Sequence, residues 1–177
     1  MLLAAMLALS VTVPCAGSAE TAAPNQVVEH FKAYSAALQR QDFPAAEAAA
    51  KAALDASVQA YGDGGRTAVL AFNLADVRLA QGKLPEAIEP ARKALELAES
   101  NPASGVDARL ARLALDRARL RNGDSFAGHR LLKSLRAAAE VPAIAAMAHP
   151  GAIDLALFST EQNAYATAGE AWHIAYE

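Results

Sequence analysis

Few side chains in this sequence are of the types that perform acid–base, nucleophilic or metal chemistry. The four histidines are scattered, and the only cysteine, Cys15, leaves no partner for an intrachain disulfide. Glu170 and His173 have the spacing of a di-iron helix, but such a site needs a second copy of the motif and two more glutamates. No phosphate-binding glycine loop, H-E-x-x-H or G-x-S-x-G occurs. We therefore expect no enzymatic activity, no metal and no cofactor.

One basic run stands out in a mildly acidic chain. The net charge is −3, but residues 104–136 hold eight Arg and Lys against three Asp. Such a run is more often a solvated helix face with i, i+4 pairs such as Arg112–Asp116. The alternative is a surface for an acidic partner, peptidoglycan or lipid head groups. Because no aromatic residues interleave with the basic ones, we expect no nucleic acid partner.

The composition favours one helical domain. The chain has 177 residues, it is rich in Ala, and only 6% of its residues are aromatic. Ala is the strongest helix former, whereas strands favour β-branched and aromatic residues. Charged residues, at 20%, are too few for an intrinsically disordered chain.

The first residues have the pattern of a secretory signal peptide. An apolar stretch over residues 2–13 is too short to span a bilayer, and small residues follow it up to Ala19. The sequence therefore predicts a signal peptide over residues 1–19, cleavage after Ala19, and a periplasmic or secreted protein. The alternative is a buried N-terminal helix. Membrane association is expected only if Cys15 is lipidated or the signal is uncleaved, and Pro14 fits a lipidation motif poorly.

Three similar turns recur at a fixed spacing, which indicates an internal repeat. They begin at Gln41, Gly82 and Gly123, so the spacing is 41 residues. Pro44 and Pro85 lie near the starts of the next helices, where a missing backbone N–H is tolerated. Small residues then recur at helical spacing, which gives a smooth face for close helix packing. They are Ala46, Ala49, Ala53, Ala87, Ala91 and Ala94.

The central repeat carries a pattern that can be matched to a known family. The pattern consists of Asn73-Leu74-Ala75, Gln81-Gly82-Lys83, Glu86-Ala87-Ile88-Glu89 and Lys93-Ala94-Leu95-Glu96-Leu97. It resembles the tetratricopeptide repeat, and the spacing of 41 resembles the longer-helix subtype of that family. The resemblance implies an all-α superhelix of three to four helix-turn-helix repeats. The packing positions that it implies are Leu74, Ala75, Gly82, Ala87 and Ala94.

The flanking repeats match less closely, and Asp116 falls where a small residue belongs. Helices are predicted over 25–40, 44–61, 66–81, 85–100, 105–122, 125–140, 151–166 and 168–177. The repeats would span residues 20–140, as units over 25–61, 66–100 and 105–140. A connecting loop is predicted over 141–151, and a candidate fourth, incomplete repeat over 152–177.

The resemblance also implies a concave face lined by the first helix of each repeat. The groove residues that it implies are Val69, Phe72, Asp76, Leu79, Leu113, Arg117 and Arg121. An apolar strip with charges at its ends suits a peptide or helix laid in a groove. The alternative is that Phe72 and Leu79 pack between repeats. Some members of the family bind a C-terminal carboxylate, but only Lys32 and Asn73 match that set, so this ligand is not expected.

Two functions are compatible with these features. The first is a non-catalytic periplasmic scaffold that binds a protein or peptide partner in the concave groove. The second is the spacer or sensor part of a longer envelope protein, such as a TonB-type energy transducer. Residues 171–176 motivate the second function, because they are not the polar cap with which a solenoid normally ends.

Overall fold

The computed structural model describes residues 22–120, 126–162 and 164–176, and within these ranges the chain forms helices and turns but no strand. Four consecutive helix–turn–helix units make up this part of the chain, which confirms the predicted all-α fold class. The helices are α1 (Ala22–Gln39), α2 (Phe43–Tyr61), α3 (Gly65–Ala80), α4 (Leu84–Ser100), α5 (Ala108–Arg119), α6 (Ala127–Ala139), α7 (Pro142–Glu161) and α8 (Tyr165–Tyr176).

Polar caps and prolines explain where several helices begin. The Asp42 side chain accepts a hydrogen bond from the backbone N–H of Ala45 at the start of α2, at 3.1 Å. Asp107 caps α5 in the same way. Prolines occupy the first turns of α2, α4 and α7, where their missing N–H groups would have no partner within the helix.

The first two turns have the same backbone geometry, 41 residues apart. Gln41 and Gly82 both adopt left-handed conformations, with φ of 56° and 72°. In each turn the N–H of the next residue donates to the carbonyl five residues earlier, at 2.9 Å. Gly82 is exposed, so its contribution is this backbone conformation rather than packing. The third predicted turn begins at Gly123, and its first residues lie outside the described part of the chain.

Each helix packs on the next one, and in addition α3 packs on α5 and α5 packs on α7. Small residues allow this close approach, as the stripe of Ala residues predicts. Leu74, Ala75, Ala87 and Ala94 are all buried. The core has two clusters of buried apolar side chains, one formed by α1 to α5 and the other by the last part of the chain from α5 onwards.

A half-buried carboxylate joins the first unit to the second. Glu47 of α2 accepts hydrogen bonds from Lys83 Nζ at 2.6 Å, from Arg78 Nε at 2.8 Å and from Gln81 Nε2 at 3.1 Å. These bonds, that of Lys83 above all, lower the pKa of Glu47 to about 2 against a partial opposing effect of burial. Glu47 therefore holds α2 against α3 and the turn that follows it.

Asp116 of α5 is buried, although the repeat pattern places a small residue there. Its Oδ2 accepts a hydrogen bond from Ser134 of α6 at 2.5 Å, and Arg130 Nε lies 3.8 Å from its Oδ1. A polar contact therefore joins α5 and α6 at this position. The predicted Arg112–Asp116 pair is wrong, because Arg112 instead pairs with Glu99 of α4.

The predicted connecting loop over 141–151 is wrong, because α7 runs through it. Pro142 lies in the first turn of α7, and Pro150 lies inside the helix. A proline inside a helix removes one backbone hydrogen bond and usually kinks it, but the Ala-rich residues between the two prolines favour helix. The fourth unit therefore begins at α7, earlier than residue 152.

Both ends of α5 also differ from the prediction. The sequence predicts a helix over 105–122, whereas α5 spans Ala108–Arg119. Gly105 has φ of 80°, a left-handed conformation that does not continue into a helix, and Asp107 caps the helix instead. Residues 121 and 122 lie outside the described residues.

Candidate partner-binding face

Helices α3, α5 and α7 bring five of the seven predicted groove residues to one recess. Phe72, Asp76 and Leu79 come from α3, and Leu113 and Arg117 come from α5. We call this the central recess; Leu110, Ala114 and Gly151 complete its lining. These residues meet because successive first helices of the units pack side by side.

The central recess is narrow. Its volume is about 40 Å³, which is room for a water molecule or two but not for a side chain. Leu79 and Leu113 are each only 4% exposed, so Leu79 packs between helices, as the alternative for Phe72 and Leu79 has it, and Leu113 does the same. Their side chains are covered because α3 packs on α5 and α5 packs on α7. Phe72 is partly exposed and Asp76 is exposed, so these two remain accessible from the concave side.

The charges of the central recess are largely engaged. Arg117, whose side chain is 16% exposed, donates a hydrogen bond to Asp154 of α7. Asp76 is exposed as a residue, but partial burial of its carboxyl group raises its pKa, while Arg117 acts in the opposite direction. The pKa of Tyr34 in α1 is raised to about 12, first by burial and then by the charge of Asp76. Asp76 therefore lies within electrostatic reach of both α1 and α5.

The two remaining predicted groove residues lie elsewhere. Arg121 is outside the described part of the chain. Val69 lines a different recess, between α1 and α3 near the connection from α2. We call this second site the edge recess, and its lining consists of Val27, Val28, Phe31, Lys32, Tyr61, Arg66, Val69 and Leu70.

The edge recess is wide and apolar. Its volume is about 600 Å³, and it is open to solvent. Val28 is 51% exposed and Phe31 is 42% exposed, although both are large apolar residues. This space exists because α1 packs closely on α2 and approaches α3 less closely. Further along the chain, by contrast, α3 packs on α5.

The polar groups of the edge recess are two cations. The guanidinium carbon of Arg66 lies 4.7 Å from the centre of the Tyr61 ring, which fixes this cation at the rim. Lys32 Nζ lies 3.3 Å from Glu29 Oε1 on the same helix, and both side chains are mostly exposed. Such an exposed pair contributes little and leaves Lys32 available to another anion.

Sequence reasoning missed most of the edge recess. Of the residues that line it, the repeat pattern singled out Val69 as a groove residue and Lys32 as a match to the carboxylate-binding set. The available signal was that the first unit contains the aromatic residues Phe31 and Tyr61 and that Arg66 follows Tyr61 closely in sequence. Their meeting depends on the angle between α1 and α3, which no local pattern encodes.

The described residues contain no cluster of metal ligands. None of them forms a group of three or more His, Cys, Asp or Glu that could hold a metal ion. Glu170, the acidic member of the Glu-x-x-His pair, is engaged by Arg136 of α6. Among the described helices, none is both long enough and apolar enough to cross a membrane. Residues 1–19, including Cys15, lie outside the described residues.

Comparisons with known proteins agree with the helical units. A family model described as the tetratricopeptide repeat matches residues 30–100, which include most of α1 and all of α2, α3 and α4. Neither the curated proteins nor the solved structures contain a match to the chain. Tetratricopeptide repeats are non-catalytic and generally mediate protein–protein interaction. Over residues 30–100 the chain is therefore similar to the tetratricopeptide repeat, a helical unit of protein-binding scaffolds.

Proposed function

We propose that this protein is a non-catalytic periplasmic scaffold that binds a segment of a partner protein along its concave face. The observation that carries the proposal is the alignment of α3, α5 and α7, which places Phe72, Asp76 and Arg117 beside one another. An accessible aromatic ring next to fixed charges is the chemistry by which a groove recognises an extended or helical segment.

The residues of the face have different roles in this proposal. Leu79 and Leu113 are buried, so they form the wall rather than the contact surface. Arg117 forms an ion pair with Asp154, which restrains its positive charge at the face. Phe72 and Asp76 remain accessible, and they are the residues that a partner would touch. Val69 and Arg121 complete the proposed groove.

The test compares two substitutions on the face with two matched substitutions elsewhere. Phe72→Glu and Asp76→Lys change the face, whereas Val58→Glu on α2 and Glu96→Lys on α4 change exposed residues that line neither recess. The partner is crosslinked in the envelope fraction of the source cells and quantified by mass spectrometry. We expect both face variants to lose most of the adduct at an unchanged melting temperature, while the controls retain it. Full retention by both face variants would contradict the proposal.

The proposed location rests on the apolar stretch of residues 2–13 and on the small residues that end at Ala19. It is tested by the intact mass of the native protein recovered from the envelope fraction. A mass equal to residues 20–177 is the expected result. An uncleaved 18.4 kDa species in the cytosol would contradict export.

The same measurement decides the alternative function, in which these repeats are the spacer or sensor of a longer envelope protein such as a TonB-type energy transducer. A mass substantially larger than that of residues 20–177 would favour it. The partner would then be sought through the additional module as well as through the concave face.

A further inference from the structure

The edge recess is unusual because large apolar side chains stay exposed around a sizeable space. Val28 and Phe31 lie on one wall and Val69 on the other, with Tyr61 at the end. At the central recess, by contrast, Leu79 and Leu113 are covered by neighbouring helices. A space of about 600 Å³ with apolar walls accommodates one or two large side chains of another molecule.

The charged side chains that line this recess are both positive. Among the described residues that line it, Lys32 and Arg66 are the charged ones, and no carboxylate lies among them. The stacking of Arg66 on Tyr61 holds the guanidinium at the rim, where its N–H groups remain free to donate. An apolar occupant that carries a carboxylate next to its apolar side chains is therefore complementary to the recess.

We propose that the edge recess binds a partner-protein segment in which a large aliphatic or aromatic side chain adjoins Asp or Glu. The apolar side chain lies between Phe31 and Val69, and the carboxylate pairs with Arg66 and Lys32. This inference rests on the proposed function, since it names the anchor of the same partner at one end of the concave face.

Sequence separates this occupant from the chain's own N-terminal segment. Residues 1–19 contain no Asp or Glu, and Glu20 follows only small residues, so this segment has no large apolar side chain next to a carboxylate. The open shape of the recess separates it from a lipid or fatty acid, whose acyl chain is stabilised by an enclosed cavity. The exposure of Val28 and Phe31 shows that this site is not enclosed.

The experiment selects ligands without assuming their sequence. Short random peptides displayed on phage are selected for binding to the purified protein, and the selected peptides are synthesised with a fluorescent label. Their dissociation constants are measured by anisotropy for the wild type and for Phe31→Ser and Arg66→Glu. Arg66→Glu is suited to this purpose, because an acidic residue in the first turn of α3 is favourable for the helix. Val58→Ser and Lys51→Glu, on exposed positions of α2, are the matched controls.

We expect the selected peptides to combine a large apolar residue with Asp or Glu. Each recess variant should weaken their binding by at least about tenfold, which corresponds to roughly 1.4 kcal/mol. The controls should change binding by less than about twofold, and replacing the peptide's acidic residue by its amide should reproduce the loss seen with Arg66→Glu.

Several results would overturn the inference. Peptides whose affinity for Phe31→Ser and Arg66→Glu equals their affinity for the wild type would overturn it. A failure to select any peptide would also overturn it. Displacement of the peptides by laurate at equal or lower concentration would indicate a lipid site instead, and self-association in sedimentation would indicate a second copy of the chain. If binding responds to Phe72→Glu and Asp76→Lys but not to the recess variants, the inference fails while the proposed function stands. If it responds to none of the four, both fail.

Discussion

The central recess and the edge recess lie on the same concave face but differ in how closely the helices that form them pack. At the central recess, α3, α5 and α7 pack side by side, and the space left is about 40 Å³. At the edge recess, α1 and α3 leave about 600 Å³ between them. Arg117 at the first site is held by an ion pair with Asp154, whereas Arg66 at the second stacks on Tyr61.

This difference shows what close stacking of repeats does to a binding surface. Where the first helices of successive units touch, their apolar residues stabilise the fold and are withdrawn from solvent, as Leu79 and Leu113 are. Where the first helices approach each other less closely, as α1 and α3 do, the same kind of residue stays exposed, as Phe31 does. Residues that line a groove by pattern therefore divide into structural and recognition residues according to the packing of the helices that carry them.

The largest expected effect of a single substitution falls on the wall of the central recess. Leu113→Ala removes a buried side chain and leaves a cavity between α5 and α7, so it should lower the free energy of unfolding by about 2–5 kcal/mol. Urea denaturation followed by circular dichroism measures the change. A loss below about 1 kcal/mol would mean that Leu113 is not part of a packed wall, and the contrast between the recesses would disappear.

The next effect concerns the contact that holds the first unit against the second, at the end of α3 away from the edge recess. Glu47→Gln removes the charge that binds Lys83 and Arg78. Because Lys83 is partly exposed and solvent screens it, we expect a loss of about 1–2 kcal/mol at neutral pH. Glu96→Gln, on the exposed face of α4, is the matched control and should leave stability unchanged.

The stability contributed by Glu47 should also depend on pH. Its folded-state pKa of about 2 lies below its ordinary value of 4.5. The contribution is therefore fully present above the ordinary value and is lost as the pH falls from about 5 to about 2. Denaturation of the wild type and of Glu47→Gln across this range should give curves that converge at low pH. Curves that stay parallel would contradict the assignment.

A smaller effect is expected for the ion pair that restrains the central recess. A double-mutant cycle of Arg117→Met and Asp154→Asn should give a coupling of about 0.5–1.5 kcal/mol, because Arg117 is mostly covered while Asp154 is partly exposed. The same cycle repeated at high salt should retain most of the coupling. A coupling near zero would mean that Arg117 is free, and the central recess would then resemble the edge recess in its electrostatics.

The smallest effect is expected at the edge recess itself. Val28→Ser changes a residue that is about half exposed, so the free energy of unfolding should change by no more than about 0.5 kcal/mol. Thermal denaturation of Val28→Ser and Leu113→Ala, measured side by side, compares the two recesses in one experiment. A loss as large as that of Leu113→Ala would mean that another part of the chain covers Val28.

Periodicity and turn chemistry were enough to predict the repeat framework. The helix-turn-helix units follow from the recurrence at Gln41 and Gly82, which share one turn geometry. The burial of Ala87 and Ala94 follows from their spacing on one helix face. These features are local, because they depend on residues within one or two helical turns of one another.

The remaining features depend on contacts between distant residues. The first part of α7, residues 142–150, was predicted as a loop because two prolines weigh as helix breakers when no neighbouring helix is considered. The partners of Arg112 and Arg117 come from α4 and α7, so a search for pairs within one helix could not find them. The edge recess depends on the divergence of α1 and α3, which follows from the packing of whole helices.

The most direct test of the account asks which recess a native partner enters. A photoreactive benzoylphenylalanine is introduced in place of Phe31 in one variant and of Phe72 in another, so that the same side chain reports from each recess in the source cells. The account predicts a several-fold greater partner adduct from position 31 than from position 72, with the adduct at position 31 lost when Arg66→Glu is added. An equal or greater yield from position 72, or no adduct from position 31, would contradict it.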